Sequence, residues 1–208
     1  MEARGHELID ERDLGRIAAF TDCVMAVAIT VLVLNLQVPQ LNPGQSLGNA
    51  LVDLLPSLGA YVLAFALVGR FWVIHHNLFE TLRDFDRTLM ALNLAFLALI
   101  VLVPFSAELY DTYTSEPLAA AVLGATLGLA AMVHWAMTAH VVRRGFVRDD
   151  QRERTAPSAS PVGLGFTAAF LLSVPLAFVS VHIAEALWIS TVVLRYPLRR
   201  LGGRTSSR

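Results

Sequence analysis

Long apolar runs separated by short polar stretches dominate this chain. They cover roughly 16–38, 48–79, 87–110, 117–142, 161–179 and 181–198. A hydrocarbon core of ~30 Å takes about 20 helical residues to cross, so each run reads as a membrane span. The second run is longer than one span and is predicted to project into water. The last two are short, with only a tight turn near Ser180 and His182 between them. The expected fold is all-α, a bundle of six transmembrane helices.

The run from Arg16 to Pro39, RIAAFTDCVMAVAITVLVLNLQVP, stands apart because it carries an acid, Asp22. A carboxylate at that depth is costly in hydrocarbon and marks a function or a fixed partner. At about 100° per residue, Val27, Val31 and Leu34 fall within roughly 40° of Phe20, and Cys23 and Thr30 flank them. Asp22 falls on the opposite side, near Ala18, Met25 and Ile29. No basic residue lies at i±3 or i±4 from Asp22, the positions that would share its face. Its partner is therefore expected from another helix.

The second run passes the same depth as GRFWVIHHNLF and offers Arg70, Trp72, His75 and His76 as donors. The expectation is a polar cluster joining Asp22 to His75 or His76, with Arg70 as a further donor. A folding clasp without any part in transport accounts for such a cluster equally well. Adjacent histidines point about 100° apart and no further ligand sits at a suitable spacing, so no metal site is predicted. His134, His182 and Glu185 read as isolated hydrogen-bonders between later helices.

Composition strengthens the membrane assignment. The chain of 208 residues is 55% hydrophobic and 16% charged, against about a quarter charged in soluble domains. All 16 basic residues are Arg. Segments 39–49 and 111–116 and the turn near 180 have none, whereas 80–87, 143–154 and 195–208 are rich in it. Basic residues accumulate on the cytoplasmic side. The alternation predicts both termini inside, an even number of spans, and a multi-pass protein of the cell membrane. Residues 1–15 are expected to form a cytoplasmic lead-in with Asp13 as helix cap, 16–198 the bundle with a linker at 143–161, and 199–208 a tail. The acid-rich first 13 residues do not resemble a signal peptide. No catalytic domain has room, and Glu108, Asp111 and Glu116 read as a solvated loop face rather than an enzyme site. Cys23 reads as a small packing residue.

Three motifs carry a resemblance. Arg16, Phe20, Thr21 and Asp22 fit R-x-x-x-F-[ST]-D. The run V-x-A-x-A-I-T-x-L-V-L-x-L-x-V-P follows, and W-x-x-H-H-x-L-F occurs at Trp72 to Phe79. The chain resembles bacterial members of the transmembrane protein 175 family, the lysosomal-type potassium channels. The resemblance implies one six-helix repeat per chain and a homotetramer around a central pore lined by the first helix. It implies an apolar constriction at Val27, Val31 and Leu34, with Thr30 beside it. Asn35 reads first as an ordinary helix-end polar residue and second as a contributor to the outer mouth. No T-V-G-Y-G filter is present. Arg16, Phe20, Thr21 and Asp22 would hold the pore helix through Trp72 and the histidines of the second helix. The implied function is a potassium-preferring cation channel with monovalent cations and the bilayer as partners, no cofactor and no nucleic acid. Thr21 replaces the usual Ser, and Val27 stands where Ile or Leu is common, which predicts a wider constriction. The competing reading is a proton- or cation-coupled secondary transporter. Such proteins tend to have inverted repeats and broken helices, and no repeat surrounds Pro56, Pro104 or Pro175.

Overall fold

The computed structural model describes residues 11–151, 155 and 164–193. Helix α1 (Glu11–Val31) tightens into a 3₁₀ segment at Leu32–Asn35. It is followed by α2 (Leu47–Asp53), α3 (Leu55–Glu80), α4 (Arg87–Thr112) and α5 (Pro117–Arg144). After a 3₁₀ turn at Asp149–Gln151 come α6 (Gly165–Ala177) and α7 (Val181–Val193). Among the described residues there is no strand, only an isolated antiparallel bridge between Leu82 and Val147. The protein is an all-helical, multi-pass membrane protein. Residues 1–10 of the lead-in, residues 152–154 and 156–161 of the linker and the 199–208 tail lie outside the described residues.

Among the described residues, four helical stretches are long and apolar enough to span a bilayer: Leu14–Asn35, Leu55–Glu80, Arg87–Thr112 and Pro117–Arg144. Helices α6 and α7 have 13 residues each, about 20 Å at ~1.5 Å per residue. That is shorter than their apolar runs, whose ends at 161–163 and 194–198 lie outside the described residues. The long second run is two helices, not one. It breaks at Leu54, and Pro56 sits in the first turn of α3, where its missing N–H costs nothing. Asp13 lies within α1 rather than at its cap, because the helix already runs from Glu11.

The core centres on Phe71 of α3, which meets Phe166 of α6 edge-on at 5.3 Å and lies 6.0 Å from both Phe96 of α4 and Phe170 of α6. Trp188 of α7 is fully buried, and its indole N–H donates to Ser173 Oγ at 2.8 Å. Helices α5 and α6 approach closely because Gly124 and Gly128 present no side chain. A Cβ on Gly128 would lie 2.6 Å from Leu171 Cδ2 and 3.3 Å from Leu171 N. Close backbone approach across small residues is the usual means by which helices associate in lipid.

The end of the bundle carrying the Arg-rich loops is clasped. Asp86 Oδ1 caps α4 by accepting from Leu89 N at 2.8 Å, and its carboxylate meets His140 Nε2 of α5 at 3.0 Å and Arg144 Nε at 3.6 Å. The two loops also exchange backbone hydrogen bonds, Arg83 N to Phe146 O and Arg148 N to Thr81 O, both at 2.9 Å. Gly145, at φ 71°, makes the left-handed turn that ends α5 and sends the chain back along this clasp. Burial pushes the Asp86 carboxyl up, but the Leu89 and His140 hydrogen bonds and the nearby Arg144 charge outweigh it and hold the group below its ordinary value.

Two predictions follow from this packing. Gly128→Ala should destabilise the bundle by about 1–3 kcal/mol, the usual cost of overpacking, read as a lower unfolding temperature in detergent. Asp86→Ala should cost about 1–2 kcal/mol at neutral pH through the lost cap. A carboxyl lowered in the folded state stabilises fully above its unfolded pKa of ~3.9 and loses that contribution as pH falls through the lower folded value. The difference between Asp86→Ala and the parent chain should therefore shrink on acidification, as read by chemical denaturation from pH 7 down to the acid limit.

Candidate functional site

Helix α1 has two sharply different faces. Thr21, Met25, Ala28 and Leu32, spaced three and four apart, are buried against the other helices. On the far side Phe20, Val27, Val31 and Leu34 are exposed, Val27 by 60% and Leu34 by 72%. Cys23 and Thr30 are exposed along the same ribbon. In a bilayer such an apolar ribbon suits lipid, a neighbouring helix or an apolar pore wall alike. Thr30 Oγ1 donates to Val27 O at 2.9 Å. Its proton is thus directed into the helix, and its oxygen lone pairs are left for whatever meets the ribbon.

A polar network fixes the opposite side. Asp22 Oδ1 accepts from Trp72 Nε1 of α3 at 2.9 Å. Next to it, Thr21 Oγ1 accepts from Asn93 Nδ2 of α4 at 2.9 Å, and Asn93 Oδ1 faces His75 Nε2 of α3 at 2.9 Å. A carboxamide oxygen only accepts, so His75 carries its proton on Nε2. Thr21, Asn93 and His75 are all buried. The imidazole of His75 is sandwiched at 4.2 Å from Phe79 and 5.1 Å from Phe96. Two helices, α3 and α4, thereby set how α1 is rotated about its own axis.

The pairings differ from those expected. The expected direct link from Asp22 to His75 or His76 is replaced by the Trp72 indole. His75 reaches α1 only through Asn93 and Thr21. His76 turns away, stacks on Trp72 at 5.3 Å and pairs with Glu80 at 3.2 Å. Arg70 is half-buried on α3, and Arg16 is exposed on α1. Asn35 does not face the ribbon: its Nδ2 donates to Pro104 O of α4 at 3.1 Å. Sequence reasoning missed Asn93, although an amide inside the apolar run LMALNLAFLALIV is the same kind of signal that Asp22 provided.

Elsewhere, Tyr110 of α4 donates to Glu185 Oε1 of α7, which joins those helices as expected for Glu185. His182 bonds within its own helix, Nδ1 to Glu185 Oε2 at 3.0 Å. His134 packs 5.6 Å from Phe96 and 6.0 Å from His75. Among the described residues, no group of three or more His, Cys, Asp or Glu is placed to hold a metal ion.

Comparison with known proteins bears on the family and the fold. Residues 16–104 match the family described as endosomal/lysosomal potassium channel TMEM175. A potassium channel of Streptomyces collinus is 36% identical over 179 residues, covering 83% of this chain and 86% of that protein. The endosomal/lysosomal proton channel TMEM175 of Rattus norvegicus is 30% identical over 104 residues, which is 50% of this chain and 21% of the rat protein. The crystal structure of a lysosomal potassium-selective channel TMEM175 homolog from Chamaesiphon minutus superposes with a TM-score of 0.79 at 28% identity, over 91% of this chain and 98% of that one.

The Thr21–Asn93–His75 relay generates its own prediction. Asn93→Leu strands two buried polar groups, and each should cost about 1–3 kcal/mol. The loss is read as a fall in unfolding temperature in detergent. Trp72→Phe, which breaks only the half-buried contact to Asp22, should cost less.

Proposed function

The chain belongs to the TMEM175 family of ion channels, and on that premise we propose that it forms a potassium-preferring cation pore from four copies of itself. One observation carries the reading. The exposed ribbon of Val27, Val31 and Leu34 faces away from Asp22 and its Trp72 partner, so four α1 helices can converge on an axis with that carboxylate left outside it. The three side chains then form stacked apolar rings about 10 Å apart from first to last, at ~1.5 Å per residue. A narrow apolar ring gates by dewetting. Potassium sheds water more readily than sodium, and the outward lone pairs of four Thr30 hydroxyls replace part of the lost shell. Valine at position 27 widens the ring and makes the preference for potassium moderate.

The topology follows the same reading. Four long spans and the α6–α7 pair give six crossings, with both termini in the cytoplasm of a cell-membrane protein. The Asp86 clasp then faces the cytoplasm, and the 3₁₀ end of α1 faces outward. Potassium is the first ion to test because the Streptomyces relative, named for it, matches over most of the chain. The relative named for protons matches over half.

The test is purified full-length protein in planar bilayers with asymmetric potassium, sodium and protons. Unitary currents reversing toward the potassium potential are expected. Saturable uptake without unitary currents would overturn the channel in favour of a coupled transporter. Val27→Ala and Leu34→Ala should raise unitary conductance and move the potassium-to-sodium permeability ratio toward equality. Unchanged conductance in both would remove the ribbon from the pore.

A further inference from the structure

The resemblance places Phe20 among the residues that hold α1, but the structure separates it from them. Thr21 and Asp22 turn toward α4 and α3, whereas Phe20 is 53% exposed. Exposure alone suits lipid, as it does for any apolar side chain on a membrane helix. The register of Phe20 is what singles it out. It precedes Val27 by seven residues within continuous α-helix. Seven residues make close to two turns, so the two side chains stand one above the other with a drift of about 20°. Cys23 and Thr30, three residues after each of them, are exposed as well. Phe20, Cys23, Val27 and Thr30 thus repeat the three-and-four spacing with which packed helices line a shared axis.

Phe20 lies about 10 Å from Val27 along the helix, at ~1.5 Å per residue, toward the Arg-rich loops. Arg16, one turn earlier, is exposed and marks where the span meets water. The ribbon therefore begins close to that boundary, and its first member is its largest side chain. A phenyl group reaches farther from the backbone than valine or leucine does. At equal helix spacing, four phenyl groups close more of a central bore than four valines. The backbone at this level is also held firmly, because the next two residues carry the bonds to Asn93 and Trp72. The phenyl rings project from a fixed collar of helix.

We propose that Phe20 lines the cytoplasmic entrance of the pore, where four phenyl rings form a second apolar constriction that cations from inside must cross before they reach Val27. The inference rests on the pore reading of the ribbon. A narrow apolar ring raises the cost of keeping water, and hence a hydrated ion, between its side chains. Bulk at position 20 then sets how readily the pore fills from the cytoplasm. Thr21 and Asp22, and not Phe20, hold the helix.

Side-chain size at position 20 supplies the test. In planar bilayers Phe20→Ala should raise unitary conductance roughly twofold or more, because it removes one dewetting barrier, and Phe20→Trp should lower it. Equal conductance across the parent chain and both variants, or a change in the same direction in both, would overturn the entrance ring. A near-native side chain gives a second readout. Para-fluorophenylalanine is placed at position 20 of the full-length protein in lipid nanodiscs, and its fluorine NMR signal is followed. A water-soluble paramagnetic ion should relax that signal more than spin-labelled lipid acyl chains do. The reverse order would put Phe20 against lipid and overturn the proposal. Val27→Ala distinguishes the two levels of failure. If it alters conductance while the Phe20 variants do not, the pore stands and the entrance ring falls. If neither position responds, the pore reading falls as well.

Discussion

A carboxylate on a membrane helix needs a donor from another helix, because hydrocarbon offers none, and the threonine beside it is here bonded from outside its own helix as well. Thr21 and Asp22 find theirs in Asn93 and Trp72. That requirement sets the rotation of α1 about its own axis, and the rest of the arrangement depends on it. With the polar pair facing inward, Met25, Ala28 and Leu32 follow it into the core, and Val27, Val31 and Leu34 are left on the outside. Their exposure is thus a consequence of where the hydrogen bonds lie. Aliphatic preference cannot choose a face in lipid, where every apolar side chain is equally at home.

The two faces of α1 were legible in the sequence because helical period is fixed geometry. The angle that separates Asp22 from Val27 does not depend on what surrounds the helix. Partner identity was not legible to the same degree. Trp72, His75 and His76 occupy neighbouring positions on α3, and angle alone does not say which long side chain spans the gap. The indole reaches Asp22 while His75 sinks between Phe79 and Phe96. The break at Leu54 was masked by an unbroken apolar run, although Pro56 marked where a helix could begin. The 3₁₀ turn at Leu32–Asn35 left no trace in the pattern, because apolar residues three and four apart suit both windings. Helices α6 and α7 are separated by the turn the sequence placed near Ser180, where Ser180 N bonds Leu176 O at 2.9 Å.

Anchoring is uneven along the length of α1. Toward the Arg-rich end, the helix is held through Thr21 and Asp22 by side chains of α3 and α4, and those helices are themselves secured by the Asp86 clasp and the paired loops. At the other end, the described side-chain hydrogen bond from the 3₁₀ turn to a neighbouring helix is that of Asn35 to Pro104. Local openings concentrate where few buried contacts and hydrogen bonds must be broken. The orientation of α1 is therefore set by side-chain hydrogen bonds at its Arg-rich end more than at its 3₁₀ turn. On the pore reading, Val27 lies nearer the fixed portion and Leu34 in the free one.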